Sequence, residues 1–318
     1  MTKKIQKIAV IGTGVIGTGW IIRFLAHGKK VYAYDVDTAN KTRLKKEINR
    51  TWPYVKKIFN KKNKNYKNLK FVNSIKMAVK DADFIQECAP ENIKLKKKVV
   101  NEISKFSKIE SVISSSSSGL LPSEIQKKCI NPSRILIGHP FNPVYLLPLV
   151  EIVPGNKTTL KYMKIAKNFY SSISMEPLTI KKELPGYLSD RLQEALWRES
   201  LHIINEGFAD TNDLDKAIVN GPGLRWSLMG VFLTFHLAGG KGGMKHMLEQ
   251  FGPALKLPWT KLKAPTLSKK LSKKIIDGTK KQSRGVSISK LNNIRDRYLI
   301  SLLKMRKKYE REINGNIK

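Results

Sequence analysis

The sequence predicts an α/β protein in which a doubly wound, mostly parallel sheet is followed by an all-helical C-terminal domain. Three observations carry this. Short apolar runs alternate with helical stretches from residue 7 to about residue 181. A glycine-rich turn lies between the first run and the first helix, and an acid closes the second run. From residue 187 onward only helical periodicity remains. At roughly 100–200 residues per domain, a chain of 318 residues holds two domains, expected at 1–183 and 184–318.

Each element has its own justification. Residues 7–11 (KIAVI) are a continuous apolar run, the mark of a buried strand. Gly12-Thr13-Gly14-Val15-Ile16-Gly17 then leads into a helix on which Trp20, Ile21, Phe24 and Leu25 recur at helical spacing. Residues 30–35 (KVYAYD) read as a second strand. Strand, glycine turn, helix and strand make a βαβ unit of Rossmann type. The alternation continues with a polar helix over 38–59 and a Lys/Asn loop over 61–68. Strands follow at 71–72, 83–88, 111–114 and 135–138, with helices between them at 74–80, 91–105 and 122–129. Strands at 149–153 and 178–181 flank a helix over 158–172. Leu184-Pro185-Gly186 breaks the pattern. Helices are then expected at 187–206, 211–219, 225–238, 242–250, 266–277 and 287–312. The last presents Leu291, Ile294, Tyr298, Leu302 and Met305 on one face.

Composition narrows the function. The formal net charge is +35, which raises the question of nucleic acid. The 60 basic residues are 48 Lys and only 12 Arg, and the lysines are dispersed. Nucleic-acid sites favour the arginine fork, and Lys, Asn and Ile share AT-rich codons. No specific nucleic-acid partner is therefore expected. Two cysteines, Cys88 and Cys129, exclude a disulfide framework and a Cys-rich zinc module, and no other metal site is expected. They suit a reducing, cytoplasmic setting. No apolar run approaches the ~18 residues of a membrane span, and residues 1–17 lack the pattern of a secretory leader. Residues 183–255 hold only three lysines (Lys216, Lys241, Lys245), against 45 in the other 245 positions. Lysine is depleted at interface cores, so this stretch is expected to be buried against another domain, a second subunit and a substrate.

Two constellations point to chemistry. In the glycine turn, Gly12 allows a tight bend, Gly14 lets the backbone approach a pyrophosphate, and Gly17 lets the helix pack close to the sheet. The free N–H groups at the helix start favour phosphate. Asp35, 18 residues after Gly17, suits the hydroxyls of an adenosine ribose, and with Asp37 it would repel a 2′-phosphate. The expected cofactor is NAD rather than NADP; FAD usually needs a larger chain. The second constellation is Gly138-His139-Pro140-Phe141-Asn142-Pro143, with Glu151 twelve residues after the histidine. His139 follows a strand, at the carboxyl edge where open α/β sheets bind ligands. Oxidising an alcohol needs a base for the hydroxyl proton, and imidazole suits that near neutral pH. Glu151, on the next strand, can orient the ring. A serine run, 114–118, ends another strand and can offer a hydroxyl to cofactor and substrate.

With the glycine turn, Pro90-Glu91-Asn92, Ser118-Gly119-Leu120, His139 to Pro143, Glu151 and Pro185-Gly186 in place, the chain resembles the 3-hydroxyacyl-CoA dehydrogenase superfamily over nearly its whole length. The resemblance implies an NAD-linked oxidation of a 3-hydroxyl and a homodimer formed through the helical domain. It carries the reaction to His139 as base, Glu151 as its partner, and Ser118 and Asn142 as holders of the reacting oxygen. It places Glu91 and Lys96 at cofactor-contacting positions. Within the superfamily the densest similarity is to the carnitine-oxidising branch, in 138–151, 194–199, 223–227 and 250–260. One departure matters: Asp190 stands where the acyl-CoA enzymes have Asn. It suits a small cationic substrate such as carnitine, which combines a quaternary ammonium, a secondary alcohol and a carboxylate. Asp190, Glu194 and Trp197 share one helix face and are candidates for the ammonium, with Trp226 and Trp259. Arg225 is the candidate for the carboxylate. The alternatives are a gulonate dehydrogenase of the lambda-crystallin type, a 3-hydroxyacyl-CoA dehydrogenase, and a non-enzymatic, crystallin-like structural protein.

Overall fold

A computed structural model describes residues 5–59, 66–261, 263, 266, 268–284 and 286–315. The chain divides into two units, Met1–Asp190 and Arg191–Lys318.

The first unit is built on one eight-stranded sheet. Its strands are β1 (Lys7–Ile11), β2 (Lys30–Tyr34), β3 (Leu69–Phe71), β4 (Phe84–Glu87), β5 (Val112–Ser115), β6 (Ile135–Pro140), β7 (Leu149–Pro154) and β8 (Glu176–Thr179). Their order across the sheet is β3-β2-β1-β4-β5-β6-β7-β8. The helices between them are α1 (Val15–Ala26), α2 (Asn40–Phe59), α3 (Ile75–Val79), α4 (Ile93–Phe106), α5 (Pro122–Ile125) and α6 (Leu160–Ser172). Wherever a helical crossover joins neighbouring strands they run parallel. The short β6–β7 connection has no such crossover, and that pair is antiparallel. The mostly parallel sheet expected from the alternation is therefore present, with one antiparallel joint beside the histidine.

The sheet is covered on both faces. A buried cluster joins Ala9, Ile11, Ile85, Ile113, Ile135 and Ile137 of the strands to Val100 and Ile103 of α4 and to Tyr187. Elsewhere Trp20, Phe24, Phe84, Phe169 and Tyr170 pack together at ring separations of 4.3–5.9 Å, stacked, tilted or edge-on. Arg23, on the apolar helix α1, is fully buried. Its guanidinium donates to the carbonyls of Val144, Leu147, Ile173 and Ser174. Burial lowers its pKa, to about 9, which leaves it charged at neutral pH. A buried cation satisfied by four carbonyls ties the segment after β6 to the turn after α6.

The second unit is helical: α7 (Ser189–Glu206, whose first residues lie in the first unit), α8 (Thr211–Asn220), α9 (Pro222–Ala238), α10 (Gly243–Phe251), α11 (Lys269–Gln282) and α12 (Ile288–Gly315). Asp210 caps α8 through the Asp213 amide. Among the described residues no helix is long and apolar enough to cross a membrane.

Three expectations shift in detail. The last strand begins at Glu176 rather than 178, because an edge strand accommodates Pro177. The helix expected over 122–129 stops at Ile125, and Lys128 takes a left-handed φ of 66°. Gly230, at φ 68°, interrupts α9, where the sequence predicts one continuous helix over 225–238. Of the expected 61–68 loop, residues 61–65 lie outside the described residues and Tyr66–Asn68 forms a short 3-10 turn. Residue 267, within the helix expected over 266–277, also lies outside them.

Candidate active site

The glycine turn leaves β1 and enters α1. Gly12 has a φ of +94°, and a Cβ there would lie 2.6 Å from the Cys88 carbonyl oxygen. A Cβ on Gly17 would lie 1.9 Å from the Gly12 carbonyl oxygen, so only hydrogen fits where α1 meets the turn. Gly14 is different: a Cβ on it would meet nothing within 4 Å. Its glycine serves no packing inside the protein, and the open space beside it fits a pyrophosphate brought against the backbone. Val15, at the first position of α1, is exposed, while Ile16 is half-buried.

Asp35, just past β2, faces this turn. Its Oδ2 accepts from the amide and the hydroxyl of Thr13, and its Oδ1 accepts from the Asp37 amide. Burial alone would raise its pKa, but these hydrogen bonds outweigh that and hold the carboxyl below the usual carboxylate range. An ionised acid at this place can accept from ribose hydroxyls and opposes a phosphate. These features fit NAD.

A buried polar network supports the adjoining loops. Glu87 and Lys96 are both almost inaccessible. The Lys96 ammonium donates to both Glu87 oxygens, at 3.1 and 3.2 Å, and to the Ala89 carbonyl, and lies 3.6 Å from Glu91. Ser115 also donates to Glu87. Glu91 Oε1 accepts from the Ser117 hydroxyl and from the amides of Ser118 and Gly119 at 3.0 and 3.2 Å. Glu91 thus fixes the loop after β5, and the Ser118 side chain stands exposed on it. Asn142, just after β6, is also exposed.

His139 and Glu151 are direct partners in the antiparallel register of β6 and β7. Side chains opposite one another in such a pair share a face, and here His139 Nδ1 lies 2.9 Å from Glu151 Oε2. Glu151 is fully buried. Its other oxygen accepts from the Leu188 and Ser189 amides and the Ser189 hydroxyl, at 3.0–3.1 Å, where α7 begins. Burial pushes the Glu151 pKa up, but the bonds from His139 and Ser189 more than offset it, so the carboxyl stays below its usual range. Glu151 is therefore an anion at neutral pH. It fixes the proton of the imidazole on Nδ1 and leaves Nε2 to accept one. Asp190 Oδ2 lies 3.6 Å from Nε2. The rings of Phe141 and Tyr187 flank the imidazole at 5.0 and 5.5 Å.

The first unit thus assembles His139, Glu151 and Asp190, and separately the turn at 12–17 with Asp35 and the loop around Glu91, Lys96 and Ser118. The other candidates belong to the second unit. Trp197 on α7 is exposed, Glu194 pairs with Arg198 at 3.1 Å, and α9 carries an exposed Arg225 beside a half-buried Trp226. Trp259 is exposed. Sequence reasoning missed Glu87, Tyr187 and Ser189. Tyr187 is completely buried, at a left-handed φ of 47°, and its hydroxyl donates to the Leu120 carbonyl at 2.7 Å. Its place directly after Pro185-Gly186 was the available signal.

A phosphate-type glycine turn with a ribose-type acid, and a histidine held by a buried carboxylate, are the equipment of a dinucleotide-linked alcohol dehydrogenase. The chain belongs to the 3-hydroxyacyl-CoA dehydrogenase family: the model of its NAD binding domain matches residues 7–184, and that of its C-terminal domain matches 186–281. The cofactor is NAD. The chain is 50% identical over 305 residues to an L-carnitine dehydrogenase of Bacillus cereus, covering 96% of this chain and 94% of that one. It is 49% identical over 304 residues to an L-carnitine dehydrogenase of Oceanobacillus iheyensis, covering 96% and 99%. Among solved structures, an FHMPC 5-dehydrogenase, an NAD+ dependent dismutase, matches with a TM-score of 0.80 at 24% identity, over 96% of this chain and 99% of that one. At that identity the likeness speaks for the fold.

Proposed function

We propose that the protein oxidises the 3-hydroxyl of L-carnitine to the 3-oxo product, 3-dehydrocarnitine, with NAD as hydride acceptor. The observation that carries this reading is the near-full-length identity of about half the residues with L-carnitine dehydrogenases. The His139–Glu151 pair supplies the chemistry. His139 takes the hydroxyl proton at Nε2, and Glu151 keeps the ring in the accepting tautomer and stabilises the cation that forms. Ser118 and Asn142, exposed on the loops after β5 and β6, are assigned to hold the reacting oxygen. Bound NAD supplies the acceptor for the carbinol hydride. Gly12, Thr13, Gly14, Val15, Ile16 and Gly17 would hold its pyrophosphate and Asp35 its ribose. Glu91 would border it through the Ser118 loop, and Lys96 through its contact with Glu91.

On sequence grounds Arg225 is assigned to the substrate carboxylate, and Trp197 and Trp226 to the ammonium. The division into a cofactor domain over 1–183 and a substrate and dimerisation domain over 184–318 belongs to the same reading. A homodimer is supported by the lysine-poor stretch and by large apolar side chains exposed within it, Phe232 at 82% and Leu237 at 59%. Sedimentation at micromolar concentration should give the dimer mass; an active monomer would remove this part. A cytoplasmic setting is supported by two free cysteines.

One kinetic panel tests the function. With NAD, carnitine should exceed gulonate and a 3-hydroxyacyl-CoA in kcat/KM by about 100-fold or more. NADP should serve poorly, and Asp35→Ala should raise KM for NAD while narrowing the gap. Arg225→Lys should raise KM for carnitine about tenfold at an unchanged melting temperature, because it keeps the charge and loses the fork. Turnover of gulonate or the acyl-CoA at a higher kcat/KM than carnitine would overturn the assignment, and equal use of both cofactors would remove Asp35 from its role.

A further inference from the structure

We propose that Asp190 makes the site selective for the charge of its substrate: it attracts an alcohol with a cation on the neighbouring carbon and penalises one without. The proposal rests on the reading of His139 as the base. The imidazole lies between two carboxylates with different tasks. Glu151 occupies Nδ1 at 2.9 Å, whereas Asp190 Oδ2 stands 3.6 Å from Nε2, the nitrogen left for the hydroxyl proton. Glu151 is sealed in the interior, while the Asp190 side chain is 31% exposed.

Substrate geometry does the rest. A hydroxyl that gives its proton to Nε2 sits about 3 Å from it, which brings it close to Asp190 as well. In carnitine the ammonium nitrogen is one methylene from the carbinol carbon, about 2.5 Å away by ordinary bond lengths. Once the hydroxyl engages His139, a substrate turned with its ammonium toward α7 brings the cation into contact range of the Asp190 carboxylate.

The same charge works against other alcohols. As the hydroxyl proton leaves, negative charge builds on the oxygen beside Asp190, and the like charges repel. A cation on the next carbon offsets that repulsion. A neutral neighbour does not, and a substrate of the same shape reacts slowly. Attraction for one ligand and a penalty for its isostere are then supplied by one carboxylate.

The test uses two alcohols of matching shape: L-carnitine, and 3-hydroxy-5,5-dimethylhexanoate of the same configuration, in which a tert-butyl group replaces trimethylammonium. The wild-type protein should prefer carnitine by about 100-fold in kcat/KM. Asp190→Asn should lower kcat/KM for carnitine about tenfold or more and raise it for the neutral alcohol, so that the preference collapses. Asp190→Glu keeps the charge and should keep the preference. NADH binding, followed by fluorescence, verifies the fold of each variant. If Asp190→Asn loses both alcohols by the same factor, or Asp190→Glu loses the preference, the selectivity role is overturned while carnitine oxidation stands. If the wild-type protein oxidises neither alcohol, the functional reading fails first and this inference with it.

Discussion

Replacing His139 with alanine is expected to lower kcat for carnitine oxidation by about 10²–10⁴-fold, the usual loss when a positioned base is removed. NADH binding should be unchanged, because the turn at 12–17 and Asp35 do not touch the imidazole. The fold should survive as well: Glu151 loses one donor but keeps the two amides and the hydroxyl at 188–189. His139→Gln fills more of the space and still cannot accept the proton as imidazole does, so it should be as slow. Steady-state rates with a fluorescence titration of NADH check both variants. A kcat within a few-fold of wild type would remove His139 from the chemistry.

Two glycines three residues apart should fail for opposite reasons. Gly17→Ala places a methyl carbon 1.9 Å from the Gly12 carbonyl oxygen, and that neighbour is backbone. The helix must move off the sheet, at a cost of about 1–3 kcal/mol or more, and the melting temperature should fall by several degrees. Gly14→Ala meets nothing within 4 Å, and Gly14 lies at a φ of −62°, which any residue adopts. Its melting temperature should stay within about 1–2 °C of wild type, as for substitutions that disturb no packing. Its KM for NAD should nevertheless rise about tenfold or more, because the added methyl occupies the approach of the pyrophosphate. Thermal unfolding and cofactor kinetics on the same two proteins separate the effects. An unchanged KM for NAD in Gly14→Ala would place the phosphates elsewhere.

The sheet was legible because each crossover repeats the same signal, an apolar run followed by an amphipathic helix. The glycine turn was legible because its spacing is dictated by close approach, and the histidine pair because twelve residues is a short return between strands. Features that depend on distant partners were not. Arg23 sits among apolar positions of α1, and nothing nearby announces that carbonyls at 144, 147, 173 and 174 will converge on it. Glu87 reads as the end of a strand; its pairing with Lys96 depends on where α4 packs. Asp190 is marked in the sequence by replacing an Asn and by sharing a helix face with Glu194 and Trp197, and neither signal places it beside the base. Its nearness to His139 follows from Glu151 gripping the amides at 188 and 189, a contact between residues nearly forty positions apart.

The antiparallel joint between β6 and β7 has a consequence for how this protein can change. His139 meets Glu151 because the two strands are in one register, and a slip by a single residue would turn Glu151 to the opposite side of the sheet. Insertions within either strand are therefore forbidden to a working enzyme. The segment 141–148 between them is bound by packing instead: Val144, Tyr145 and Leu146 are buried, and the carbonyls of Val144 and Leu147 hold Arg23. It leaves from the base, with Phe141 beside the imidazole and Asn142 exposed next to it, and returns toward the carboxylate. An engineer seeking a new hydroxy acid is left with substitutions beside the base that keep the proton-handling pair in its frame and leave the buried part of the segment untouched.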